Sequence, residues 1–155
     1  MARAPLIAAL LLVAACRQPD IIAPPRDPQQ VVYAPELHVD IGAMTRTNSG
    51  LFYQDVRLGG GDVAMAGDSI RLLYAGYLTN GTLVEARLDT ANAAPIVLGK
   101  DNVIAGWEEG IPGMREGGLR KLVIPPELGF GSQGRRPVPP NAILVFDIEL
   151  LTAAR

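Results

Sequence analysis

From position 50 onward the apolar residues fall into short alternating runs separated by glycine and proline. Ser69 to Leu78 is the clearest, with Leu72 and Tyr74 on one face and Leu73, Ala75 and Tyr77 on the other, a strand period. Asn80-Gly81 follows at once and predicts a two-residue hairpin in which both central residues take positive φ. Thr82 to Ala86 is the returning strand. Leu51, Tyr53 and Val56 predict an earlier strand, closed by the Gly59-Gly60-Gly61-Asp62 turn, and Pro95 to Leu98 a later one. Gly118 to Ile124 alternates again, Leu122 and Ile124 opposing Lys121. Ile143 to Leu151 sends Leu144, Phe146, Ile148 and Leu150 inward and Asp147 and Glu149 outward.

One stretch of this region has a helical period. Asp101-Asn102 offers an N-cap, Val103, Ile104 and Trp107 share a face, and Gly110 and Pro112 end the run. A short helix against a sheet of about five antiparallel strands gives an α+β fold with the helix on the concave side.

Composition agrees: 17 glycines and 13 prolines are too many for a helical bundle. Aromatics are 5%, so Val, Ile and Leu must build the core around a few rings. A formal net charge of −2 over 155 residues points to one domain and offers no basic face for nucleic acid. The first fifteen residues read as a signal peptide: Arg3, the apolar run Leu6 to Val13, then Val13-Ala14-Ala15-Cys16, which resembles a lipobox. That run falls short of the ~20 apolar residues a membrane span needs. Cys16, the only cysteine, would carry the lipid. Arg17 to Pro35 contains five prolines among polar residues and reads as a tether without a foldable pattern, although Leu37 to Met44 suggests a helical turn. The expected organisation is signal peptide 1–15, lipidated cysteine and tether 16–49, and folded domain 50–155. Arg17 after the cysteine points to the outer membrane, facing the periplasm.

Chemistry is sparse. His38 is the only histidine and has no partners for a metal site or a serine-type triad, so it is read as solvated. No metal or cofactor is expected. Gly129-Phe130-Gly131-Ser132-Gln133-Gly134 matches GxGxxG, but Pro125-Pro126 before it and Arg135-Arg136-Pro137-Val138-Pro139-Pro140 after it cannot supply the flanking strand and helix. Glu108 and Glu109 are adjacent on a helix, point apart, and are read as a solvated face. What remains is apolar: Tyr74, Val103, Ile104, Trp107, Phe130, Val138 and Phe146. These could be core alone. A large ring on a short glycine-flanked helix, and apolar groups in a Gly/Pro loop, favour a binding pocket.

Several of these stretches together resemble the FKBP-type peptidyl-prolyl isomerases. Asp101-Asn102-Val103-Ile104-Ala105-Gly106-Trp107-Glu108-Glu109-Gly110 is similar to their helix, Leu128-Gly129-Phe130-Gly131 to their flap, and Pro139 to Leu151 to their last strand. Leu98-Gly99-Lys100 and Tyr74-Ala75-Gly76 also fit, and the similarity runs from Asp68 to Leu151. The resemblance implies a half-barrel sheet wrapped on the helix, Trp107 as pocket floor, and Tyr74, Val103, Ile104, Val138 and Phe146 as walls. It also implies that the Ile104 N–H holds the substrate carbonyl.

The chain departs from the family at several places. Val84-Glu85 stands where Phe-Asp is usual, Thr90 replaces the pocket arginine, Ala94 an aromatic, and Phe130 the flap tyrosine. Val84 and Ala94 should widen the pocket, and Glu85 should lose its charge partner. The expected function is isomerisation of X-Pro segments in exported polypeptides by a membrane-anchored monomer. A non-catalytic FKBP-like peptide-binding or chaperone module is the alternative, and these substitutions leave it open.

Overall fold

A computed structural model describes residues 27–155; the expected signal peptide, Cys16 and the first part of the expected tether lie outside the described residues. Seven strands and one α-helix follow in the order β1 (Thr45–Arg46), β2 (Phe52–Arg57), β3 (Ser69–Leu78), β4 (Leu83–Arg87), β5 (Ile96–Val97), α1 (Ala105–Gly110), β6 (Leu119–Ile124) and β7 (Leu144–Ala154). They form one antiparallel sheet ordered β1-β2-β6-β7-β3-β4, with β5 paired to β3. Six of the strands fall where the sequence predicts them, although β5 is only two residues long; β1, also two residues, is the addition.

Alternation assigns the sheet's two faces. Leu72, Tyr74, Leu122, Ile124, Leu144, Phe146, Ile148 and Leu150 point toward α1 and make the main core. The helix is too short to hold itself and depends on that packing. Two glycines allow it: a Cβ on Gly106 would sit 2.6 Å from Ile124 Cγ2, and one on Gly110 2.8 Å from Leu122 Cδ2. Arg120, itself buried, donates to the Gly110 carbonyl at 2.9 Å and so satisfies one of the acceptors left at the helix end.

The opposite face is not left to solvent. Phe52, Val123, Val145 and Ile143 form a second core with Leu37 and Met44, supported by Val31, Tyr33, Val39 and Ile41. The segment from Asp27 therefore folds over the back of the sheet as a strap, and the folded unit begins well before Gly50. Tyr33 donates its hydroxyl to the Pro28 carbonyl at 2.8 Å, and the Ala34 N–H to Thr79 O at 2.8 Å, which ties the strap to the β3–β4 turn. Scattered apolar residues between prolines carry no strand or helix period, which is why the sequence hides this packing. The helical turn expected over Leu37 to Met44 is instead a 3-10 turn at Pro35–Leu37, ended by His38 at φ 48°.

Two further local expectations change. Helix α1 starts at Ala105 with Ile104 as an uncapped N-cap, because the Asp101 carboxylate accepts from the Val97 N–H at 2.7 Å instead. The β3–β4 turn is a three-residue loop: Gly81 N–H donates to Leu78 O, Leu78 N–H to Thr82 O, and of Asn80 and Gly81 only Gly81 has positive φ. Beyond it, Tyr77 pairs with Leu83 and Gly76 with Glu85, so Val84 is the extra residue of a bulge.

Candidate functional site

Three rings from three elements meet on the concave side. Tyr74 of β3 and Trp107 of α1 have centroids 4.8 Å apart at 78°, and Trp107 and Phe146 of β7 are 5.3 Å apart at 85°. Both are the edge-to-face geometry that ring quadrupoles favour. Trp107 is 6% exposed, and its indole Nε1 is buried without a hydrogen-bond partner among the described residues.

Above these rings opens a cavity of about 450 Å³. Tyr74, Glu85, Val103, Ile104, Trp107, Phe130 and Phe146 border it, so most of the residues singled out from sequence do converge. Val84 and Val138 border a neighbouring cavity of about 140 Å³ instead, the first because the bulge turns β4 there. Thr90 and Ala94 border neither. Sequence reasoning missed Ile96, Asn102, Ala105 and Arg135. Ile96 could have been found from its place in a strand beside β3; Arg135 had no local signal.

Ile104 sits at the cavity edge with extended backbone, φ −68° and ψ 147°, one residue ahead of the helix. Its carbonyl accepts from the Trp107 N–H at 2.9 Å, whereas its own N–H falls outside the helical ladder. The Tyr74 hydroxyl donates to Glu85 Oε1 at 2.7 Å. Burial, reinforced by that hydrogen bond, pushes the phenol up to about 12, so it stays protonated. Glu85 also has a cationic neighbour: Arg135 Nη2 lies 3.7 Å from Oε2, replacing from the flap the arginine missing at Thr90.

The remaining candidates separate. Glu108 accepts from the Gly99 N–H at 2.7 Å and Glu109 from the Ser49 hydroxyl, so the two carboxylates engage different loops and make no acid–base couple. The glycine-rich segment leaves a 3-10 turn at Pro126–Leu128 and runs as a loop to β7. His38 is exposed. Among the described residues no three His, Cys, Asp or Glu side chains gather where they could hold a metal ion.

A bowl floored by three rings, with its one carboxylate already hydrogen-bonded, is built for shape recognition. The model for the family FKBP-type peptidyl-prolyl cis-trans isomerase matches residues 60–151. The chain belongs to that family. It is 47% identical over 103 residues to an FK506-binding protein of Neisseria meningitidis serogroup B, a match covering 66% of this chain and 94% of the relative. Among solved structures, AtFKBP13 superposes with a TM-score of 0.66 at 34% identity, covering 72% of this chain and 98% of that one. FkpA from Escherichia coli gives 0.64 at 36% identity, covering 77% and 55%. The FKBP fold and the isomerase class expected from the sequence both stand on these matches, and the class favours the enzyme over the non-catalytic module.

Proposed function

We propose that this FKBP-type isomerase acts on X-Pro bonds of exported polypeptides as a monomer, held at a membrane surface through a lipid on Cys16, in an outer membrane facing the periplasm. The observation that carries the substrate-site assignment is the Tyr74–Trp107–Phe146 bowl beneath a cavity whose edge offers the Ile104 N–H. Trp107 would seat the proline ring, with Tyr74, Val103, Ile104 and Phe146 as walls and Phe130 closing over it. Glu85 would orient the Tyr74 hydroxyl. Val84 and Val138, around the side cavity, would receive the residues flanking proline.

The chemistry needs no nucleophile. Rotating an amide breaks its resonance against a barrier of about 18–20 kcal/mol. The twisted amide has lost most of its charge separation and suits apolar walls better than the planar one does. Binding it more tightly is catalysis. The Ile104 N–H can meanwhile hold the substrate carbonyl. The lipobox-like Val13-Ala14-Ala15-Cys16 supports the anchor, and diacyl plus N-acyl chains exceed what stable attachment requires.

A protease-coupled assay on a short X-Pro peptide tests the activity, with saturable acceleration expected and a rate equal to buffer counting against it. Membrane fractionation of Cys16→Ala tests the anchor. The variant should leave the membrane fraction, and firm retention would refute lipidation.

A further inference from the structure

The turn at the tip of the flap places one charged side chain against two others. Arg135 and Val138 exchange backbone hydrogen bonds, N–H to O at 2.9 Å and 2.6 Å, so the Arg135 backbone is pinned. From there its guanidinium lies 4.9 Å from the centroid of the Phe130 ring, and Nη2 reaches to 3.7 Å from Glu85 Oε2. Glu85 in turn accepts the Tyr74 hydroxyl at 2.7 Å. A continuous chain thus runs from the flap ring, through Arg135 and Glu85 on the edge strand β4, to the wall of the bowl on β3. Glu85, Phe130, Arg135 and Phe146 border both the large and the small cavity, so the Arg135–Glu85 contact belongs to the wall between them.

We propose that Arg135 is a positioning residue of the isomerase site, latching the flap to β4 through Glu85 and Phe130 and so keeping the two cavities separate. The proposal rests on the reading of this bowl as the substrate site. Nothing else among the described residues that is itself hydrogen-bonded or ion-paired to Glu85 comes from the flap. When the latch opens, Phe130 loses its cation and Glu85 retains only Tyr74. The side chains of Arg135 and Glu85 are 66% and 46% exposed, which makes the latch sensitive to salt while adding little to global stability. One ion pair and one cation–π contact at such exposure correspond to roughly a three- to tenfold effect on substrate binding.

The test uses the full chain and an uncharged X-Pro peptide, so that salt acts on the protein alone. Affinity is read from Trp107 fluorescence and turnover from the coupled assay. At low salt Arg135→Met should weaken the peptide by roughly three- to tenfold, chiefly in KM rather than kcat, with an unchanged melting temperature. Arg135→Lys should recover part of the loss, since it keeps the charge and loses the planar stack. Raising salt should bring the parent toward Arg135→Met while leaving that variant flat, and Arg136→Met should keep the parent's salt response. A parent indifferent to salt, or Arg135→Met equal to the parent in affinity, would overturn the latch. If Arg135→Met does not fold, the parent's salt response and Arg135→Lys decide alone. A parent that binds no peptide at all would overturn the site itself and the latch with it. A parent that binds and turns over while Arg135→Met matches it removes only the latch.

Discussion

The ring of Phe146 lies directly against the backbone of Gly76: a Cβ placed there would fall 2.3 Å from Phe146 Cε1. Gly76 faces Phe146 across β3 and β7 and Glu85 across β3 and β4, so the missing side chain is what lets the ring enter the bowl. Gly76→Ala should force the ring off its position at a cost of about 1–3 kcal/mol. Turnover should fall with it, because Phe146 is one wall. Urea unfolding combined with the X-Pro assay checks both, and unchanged values for the two would put the ring's role in doubt.

Trp107 is the only tryptophan in the chain, so its fluorescence reports the floor of the bowl without labelling. A proline peptide should change the emission saturably. Trp107→Leu removes both edge-to-face contacts and should cost about 2 kcal/mol or more of stability. It should still fold cooperatively, while calorimetry shows peptide affinity lower by roughly tenfold, or about 1.4 kcal/mol. An unfolded variant together with a silent parent would return Trp107 to plain core.

Tyr74 should give the fold an alkaline limit. Its phenol is held up to about 12 against an ordinary 10.0, so the folded state keeps the proton where the unfolded state releases it. That contribution is full below pH 10 and is lost as pH rises through the folded value. Tyr74→Phe should therefore lose less stability across that window than the parent, and an ultraviolet phenol titration should lose one late-ionising group. Equal slopes for parent and variant would show that Glu85 and burial do not hold the proton. Tyr33, raised by burial and by Asp27, should remain late in both.

The strap makes a separate demand. Leu37 is 3% exposed against the back of the sheet. Leu37→Ala should lower stability by about 2–4 kcal/mol yet leave kcat/KM unchanged wherever the protein is folded. Thermal unfolding and the isomerase assay distinguish the two effects. A large change in kcat/KM without loss of stability would mean that the strap communicates with the bowl.

Alternation along β3, β6 and β7 was enough to derive the sheet and its inward face, and the short helical run placed Trp107, whereas Val103 and Ile104 reach the bowl from the extended segment ahead of α1. Those patterns are local: strand and helix periods put particular residues on one face whatever lies beyond. Other features needed the third dimension. Asp101 looks like a helix cap in sequence, yet its carboxylate turns back four residues to the Val97 N–H, a choice between two local partners that the sequence leaves open. The bulge at Val84 turns that side chain into the smaller cavity, a consequence of how β4 registers on β3. The strap residues acquire a role because Phe52, Val123 and Val145 present an apolar face that no run of the strap itself announces. Arg135 and Glu85 are fifty positions apart and share no motif, so their pairing exists only because the flap folds back over the sheet edge. Period is written in the chain, whereas the partner of a polar group depends on which surfaces burial brings together.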